Sequence, residues 1–279
     1  MSKGPSTNPS TTTLLREVNA ALLELCRSLG PEDWAKPTVF PDRDVKDLVA
    51  HLLDGSLRRL SIHRDGQFLV APDVRSFEDM VAFVQRLNTE WMVAAKRLSP
   101  RVLVQLVAAA DEELASFFEG LDPEAPSPFG VAWAGEEWSL NSFDMAREYT
   151  EKWHHQQQIR DAVGKPKMAT RRHLWPVLET FLRGAPHAYR DAIADEGTGI
   201  SIVITGEAGG SFSLQREDGR WQLVSALLSP PKATIELDAS DAWRLWTKGI
   251  SGKVARERAT VTGDESLVSP LFAMVTIMA

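Results

Sequence analysis

Between Thr11 and Val163 the apolar residues recur mainly at intervals of three and four, the spacing that lines one face of an α-helix. The pattern predicts helices over residues 11–29, 43–63, 76–98, 100–120 and 140–162. Gly30-Pro31 closes the first, since a glycine suits a helix end and proline cannot continue the helix. Asp44 is placed to cap the second, and "GLDPEAPSPFG" makes a long break before the last. Long amphipathic helices joined in this way pack as an up-and-down four-helix bundle, whose core commonly holds metal or cofactor sites made from facing helices.

After "GKPKMATRRH" the period changes. One more helix is predicted over 171–193, and then "GISIVITGEAGGSFSLQREDGRWQLVSA" alternates apolar and polar residues, with turns at Gly209-Gly210 and Asp218-Gly219. Asp-Gly between two alternating runs is a strong hairpin signal. "KATIELDAS" reads as a strand, "DAWRLWTKG" as a short helix, "RATVTGD" as a last strand and "ESLVSPLFAMVTIM" as a terminal helix. The expected fold is therefore α plus α+β. A Ser/Thr/Pro-rich disordered tail spans 1–10, a helical bundle 11–165, and a smaller α+β domain with helices against one sheet 166–279.

Composition narrows the function classes. The 279 residues carry a net charge of −7 without a long block of like charge, which argues against a general nucleic-acid binder. No apolar run reaches the length that crosses a bilayer, and the polar start "MSKGPSTNPSTTT" lacks the apolar segment of a secretory signal, so a cytoplasmic location is expected. The single cysteine, Cys26, excludes an intrachain disulfide. Its place among leucines at helical spacing predicts a buried, inert thiol, so any thiol chemistry arrives with a cosubstrate.

The candidate chemistry lies in "EYTEKWHHQQQIRDA". Glu151 and His155 stand one helical turn apart and project from the same face, where a carboxylate and an imidazole can grip one divalent ion. Two ligands are not a site, and His51 in "VKDLVAHLLDG" is the best third. Two histidines and one carboxylate leave room for water or substrate, as in a catalytic metal site. The bland alternative stays open on spacing alone. Asp144, Glu148, Glu151, His155 and Gln158 fall on one stripe opposite Phe143, Ala146, Tyr149 and Trp153, which describes a solvated face with a surface pair contributing about 0.2–0.5 kcal/mol. His51 likewise falls with Asp47, Asp54 and Arg58, away from the apolar arc of Val45, Leu48, Val49, Leu52 and Leu53. His63, His154, His173 and His187 read as surface or supporting residues. A Gly-rich phosphate loop, a G-x-S-x-G elbow and an H-E-x-x-H pair are all missing from the sequence.

"VKDLVAHLLDG" together with "TEKWHHQQQIRDA" resembles the metal-binding helices of the mycothiol-dependent maleylpyruvate isomerase family, a branch of the DinB-like four-helix metalloproteins. "GRWQL", "KATIELDASDAWRLWTKG" and "ATVTGDESLVSPLFAMVTIM" resemble the sterol-carrier-like domain that follows the bundle in many members. The resemblance implies that His51, Glu151 and His155 bind a metal, with zinc the usual expectation. It also implies a mycothiol-like low-molecular-weight thiol as cosubstrate and a small electrophilic substrate for isomerisation or S-transfer. One position departs from it: Ile250 in "LWTKGIS" stands where isomerases of the family tend to carry arginine, and Arg244 or Lys248 are the nearby substitutes. Two readings of other classes stay open. One is a carrier of a hydrophobic ligand in the C-terminal domain, motivated by Trp221, Trp243 and Trp246; the other is a non-catalytic, metal-binding regulatory protein.

Overall fold

Helices from the first part of the chain pack against one another in the computed structural model, which describes residues 10–68 and 76–277. They are α1 (Thr11–Arg27), α2 (Val45–Arg59), α3 (Phe77–Ala95), α4 (Pro100–Glu119) and α5 (Asn141–Val163). Helices α1 and α2 each pack against both α4 and α5, and α3 lies on α2. The shared core holds Leu22, Leu48, Leu52, Leu103, Val107 and Ile159. The expected disordered tail lies outside the described residues except for Ser10, which caps α1 by accepting from the Thr13 N–H at 3.1 Å.

Local chemistry fixes the ends that matter for the site. Asp44 and Asp47 form a reciprocal capping box at the start of α2, so the helix leading to His51 begins at a defined residue. Beyond Arg59 the helix does not stop cleanly but widens into a π-turn over Leu60–Arg64, a detail the apolar period does not encode. Helix α5 ends at Gly164, whose φ of 68° is left-handed, while the Lys165 N–H closes on the Arg160 carbonyl at 2.9 Å.

The chain divides into two compact units. The first takes in residues up to Pro128 and Ser139–Lys167; the second takes in Phe129–Trp138 and Met168–Met278. In the second, β1 (Gly199–Thr205), β2 (Gly210–Glu217), β3 (Arg220–Val224), β4 (Ala233–Asp238) and β5 (Thr260–Gly263) form a mixed sheet in the order β3-β2-β1-β4-β5. The β1 and β4 strands are parallel, pairing Ile202 with Ile235, and the other neighbours are antiparallel. Asp218 and Gly219 both take positive φ, 51° and 71°, as a two-residue turn between twisted strands requires.

Two predicted helices are shorter than expected. The helix expected over 171–193 is two pieces, α6 (Arg171–Leu182) and α7 (Ala185–Ala188), because Pro186 starts a new first turn instead of continuing the old one. The expected terminal helix is a 3-10 turn over Glu265–Leu267 followed by α10 (Ser269–Ala273). Beyond it Thr276 gives its N–H to the Trp246 carbonyl at 3.0 Å, at the end of α8 (Ala239–Trp246). A further short helix, α9 (Gly252–Arg258), was not expected; Ser251 caps it. Trp221, Trp243 and Trp246 are 3%, 2% and 0% exposed and pack into the core of this unit.

Candidate metal centre

Helices α2 and α5 run antiparallel, so that His51 on α2 meets Glu151 while Arg59, two turns further on, meets Glu148 and Asp144. The polar stripe of α5 is therefore not a solvated face. Asp144, Glu148 and Gln158 are buried, and their partners come from α2, from the π-turn that follows it, or from α5 itself. His51, which its own helix periodicity places with exposed residues, has only 11% of its side chain accessible.

His51, Glu151 and His155 come together. His51 Nε2 lies 3.0 Å and His155 Nε2 3.1 Å from the same oxygen, Glu151 Oε1, and one ligand atom from each residue falls within 4.8 Å of the others. Atoms held tetrahedrally at zinc bond lengths stand roughly 3.3 Å apart, so the cluster is close to the size such an ion needs. The tautomer suits it as well. His155 Nδ1 donates to Gln158 Oε1 at 2.7 Å, so Nε2, the nitrogen next to Glu151, is the one that a metal would engage. His51 Nδ1 is buried and has no hydrogen-bond partner among the described residues.

Electrostatics favour the ligand forms of these groups. Burial pushes the His51 imidazole below its usual value despite its bond to Glu151, so the ring is neutral at neutral pH. Burial acts to raise the Glu151 carboxyl, but His155 and His51 outweigh it and hold the group well below the ordinary carboxylate range. The Glu151 side chain keeps 36% of its surface accessible, so one side of the cluster faces solvent.

The remaining histidines are accounted for individually. His154 is not a surface residue: it is 1% exposed, its ring lies 4.0 Å from that of His155, and its Nδ1 donates to the Thr150 carbonyl at 2.8 Å. Burial and then the neighbouring His155 lower its pKa to about 3. His63 lies in the π-turn with Nδ1 3.4 Å from Asp144. His173 and His187 belong to the second unit. Arg244 is committed to the Ser240 carbonyl at 2.9 Å and to the face of Trp243, while Lys248 is exposed in a left-handed turn.

Behind the cluster lies a buried ion pair that the sequence reading missed. Lys152 Nζ sits 2.6 Å from Asp111 Oδ1, 2.5 Å from Ser56 Oγ and 3.1 Å from the Leu52 carbonyl, tying α5 to α4 and α2. Its signal in the sequence is a lysine next to Trp153 and the dense polar run His154–Gln158, a cluster that suits a helix buried on more than one side.

Fold and cluster together describe a helical bundle in which two histidines and one carboxylate meet between facing helices, and a mixed α+β unit. The family model described as the mycothiol maleylpyruvate isomerase N-terminal domain matches residues 15–160, and the chain belongs to that family. Among solved structures, the mycothiol-dependent maleylpyruvate isomerase matches with a TM-score of 0.53 at 12% identity, covering 90% of this chain and 91% of that one. A histidine-to-alanine mutant of the same enzyme matches with a TM-score of 0.50 at 12% identity over the same shares. At this identity the likeness concerns the fold. A comparison with curated proteins finds no match.

Proposed function

We propose that the chain is a metal-dependent enzyme that uses a low-molecular-weight thiol of the mycothiol type for isomerisation or S-transfer on a small electrophile. The single observation that carries this is the convergence of His51, Glu151 and His155 from two helices, with ligand atoms within 4.8 Å of one another, in a member of a family whose name specifies the thiol. Two imidazoles and a carboxylate suit zinc or a related divalent ion, and three protein ligands leave a position for an exchangeable group. A Lewis-acidic metal held there would lower the pKa of a thiol or water presented to it. The chain's own contribution is positional. Gln158 fixes the His155 tautomer, Lys152 holds α5 against its neighbours, and the accessible side of Glu151 keeps the site open to a small molecule. In this reading residues 11–165 carry the chemistry, and 166–279 form a sterol-carrier-like domain in a cytoplasmic protein.

The test is elemental analysis of protein purified without added metal. About one divalent ion per chain is expected, with loss of the ion in His51→Ala and in His155→Ala. Full occupancy in both variants would falsify the ligand set. Thiol-dependent turnover of an electrophile panel, abolished in Glu151→Gln, tests the enzyme reading separately; a metal-loaded chain that turns over none of the panel would count against it.

A further inference from the structure

Helices α1 to α4 each begin at a side-chain cap, on Ser10, Asp44, Ser76 and Ser99. Helix α5 does not: its N-cap is Leu140, which has no side-chain oxygen to offer the first turn. The first N–H groups of a helix have no partner within it, and in α5 two of them are met from outside. Asn141 donates to the Ala125 carbonyl and Ser142 to the Pro123 carbonyl, both at 2.9 Å. The Asn141 side chain adds a bond from Nδ2 to the Asp122 carbonyl at 2.9 Å, and the Ser127 N–H reaches the Ser139 carbonyl at 2.8 Å. Residues 122–127 and 139–142 therefore run antiparallel, bridged at Pro126 and Leu140, as the stem of a hairpin. This stem does for α5 what a capping side chain does for the other helices.

The stem belongs to the first unit and the tip, Phe129–Trp138, to the second. Val131 and Glu136 exchange both backbone hydrogen bonds, at 2.7 and 3.0 Å, around a 3-10 turn over Ala132–Ala134, and Gly135 closes the turn with a left-handed φ of 70°. The tip is anchored within its own unit at the end of α6 and on α7. Glu136 receives Arg183 Nε at 2.6 Å and Nη2 at 3.0 Å in a two-pronged pair. Trp133 lies so close to Gly184 that a Cβ there would stand 3.0 Å from its ring, and a Cβ on Gly135 would stand 2.4 Å from His187 Nδ1. A side chain at Gly135 would thus displace His187 and meet an unfavourable backbone angle at once. Val131 is buried.

We propose that the hairpin formed by residues 122–142 is a strap through which the second unit holds the first turn of α5. Pinning the tip keeps the two strands of the stem together, and the stem supplies the carbonyls that the start of the helix needs. Asp144, in that first turn, binds Arg59 of α2, so the hold extends to both helices that carry His51, Glu151 and His155. Whatever loosens α6 or α7 is then felt at the start of the helix that bears Glu151 and His155. The strap does not depend on a bound metal.

Hydrogen exchange resolved at single amides of the full chain tests it. In Gly135→Val the amides of Asn141 and Ser142 should exchange about tenfold faster, the scale of one side chain forced into left-handed backbone. Arg183→Met, a milder change, should speed them about threefold, as expected of a partly exposed ion pair. The exchanged pair, Glu136→Arg with Arg183→Glu, should return them toward the wild-type rate. The amides of Leu22 in α1 and Val49 in α2 should keep their wild-type rates throughout. Faster exchange at Val131 and Glu136 without faster exchange at Asn141 and Ser142 overturns the strap. Equal acceleration at Leu22 and Val49 also overturns it, because the whole bundle has then loosened. A tip that exchanges as in the wild type in both variants does so too, since these contacts then do not hold it. If Gly135→Val does not fold, Arg183→Met decides alone.

Discussion

Replacing Lys152 by methionine would remove a cation from the inside of the bundle and leave its counter-ion behind. Lys152 and Asp111 are 1% and 2% exposed, and the ammonium meets three acceptors, Asp111 Oδ1, Ser56 Oγ and the Leu52 carbonyl, one for each of its protons. Methionine is also a long, unbranched side chain, so the change in packing is small. What changes is charge. The Asp111 carboxylate keeps the Ser56 hydroxyl at 2.7 Å, but its second oxygen is buried with no partner among the described residues. Stranding one member of a buried pair costs about 3–5 kcal/mol. For a unit of roughly 150 residues, each kcal/mol lowers the melting temperature by about 2–4 °C, so the bundle should melt roughly 6–20 °C lower. Removing the second charge as well, in Lys152→Met with Asp111→Leu, should restore most of the loss, because the pair's attraction is largely offset by the cost of desolvating both ions. Scanning calorimetry supplies the transitions, and hydrogen exchange at α5 amides identifies the one that belongs to the bundle in a chain of two units. A single variant that melts with the wild type, or a double variant no more stable than the single, would refute the reasoning.

Other consequences are quicker to test. Gln158→Leu should weaken zinc binding about 10–100-fold in a chelator competition, while Gln158→Glu, which keeps an acceptor on His155 Nδ1, should not; equal affinities in all three proteins would remove Gln158 from the site's support. Burial acts to raise the Asp144 carboxyl, but Arg59, His63 and Arg147 outweigh it and hold the group far below its usual range. Its folded pKa is depressed, so its contribution to stability is complete above about pH 4 and is lost as pH falls through the lower folded value. Urea unfolding of Asp144→Asn should accordingly show lower stability at neutral pH and a shallower loss on acidification, and an acid limb parallel to the wild type would contradict this. Cys26 is buried, and burial pushes its thiol up to about 12. A disulfide reagent at mildly alkaline pH should leave the folded chain unlabelled and add one equivalent per chain in urea, whereas rapid labelling of the folded chain would show an accessible thiol.

How far the chain could be read from its sequence depended on the range of the interactions involved. Helices α1 to α5 and the hairpin strands are set by apolar period and by local caps such as Asp44 and Asp218-Gly219, and they fall close to where the pattern puts them. The break between α6 and α7 was available in Pro186 but was outweighed by a continuing apolar period. The end of α10 was not available in that way. Its chain is drawn off by the Trp246 carbonyl, thirty residues away in sequence. The convergence of His51, Glu151 and His155 was legible because the two α5 members are local and only His51 had to be supplied from elsewhere. The Lys152–Asp111 and Arg59–Glu148 pairs join residues 41 and 89 apart, and no spacing rule connects them.

The acidic stripe of α5 shows what periodicity leaves out. A helix that is polar on most of its faces is solvent-bridging, laced with ion pairs or unstable, and α5 is the paired case, with Asp144, Glu148, Lys152 and Gln158 all buried. Burying such a helix is costly unless each charge meets a partner. The partners supplied by α2 and α4 thus account for both the helix's interior position and the orientation of Glu151 and His155. Glu151 lies between residues whose charges are satisfied on either side, Glu148 by Arg59 and Lys152 by Asp111, yet it faces the Nε2 atoms of two histidines and solvent. Among the carboxylates that α5 carries into the interior, Glu151 has no arginine or lysine within ion-pair distance among the described residues. A carboxylate left without a cation between two histidines is where a divalent ion would complete the pattern of compensation that holds along the rest of the helix.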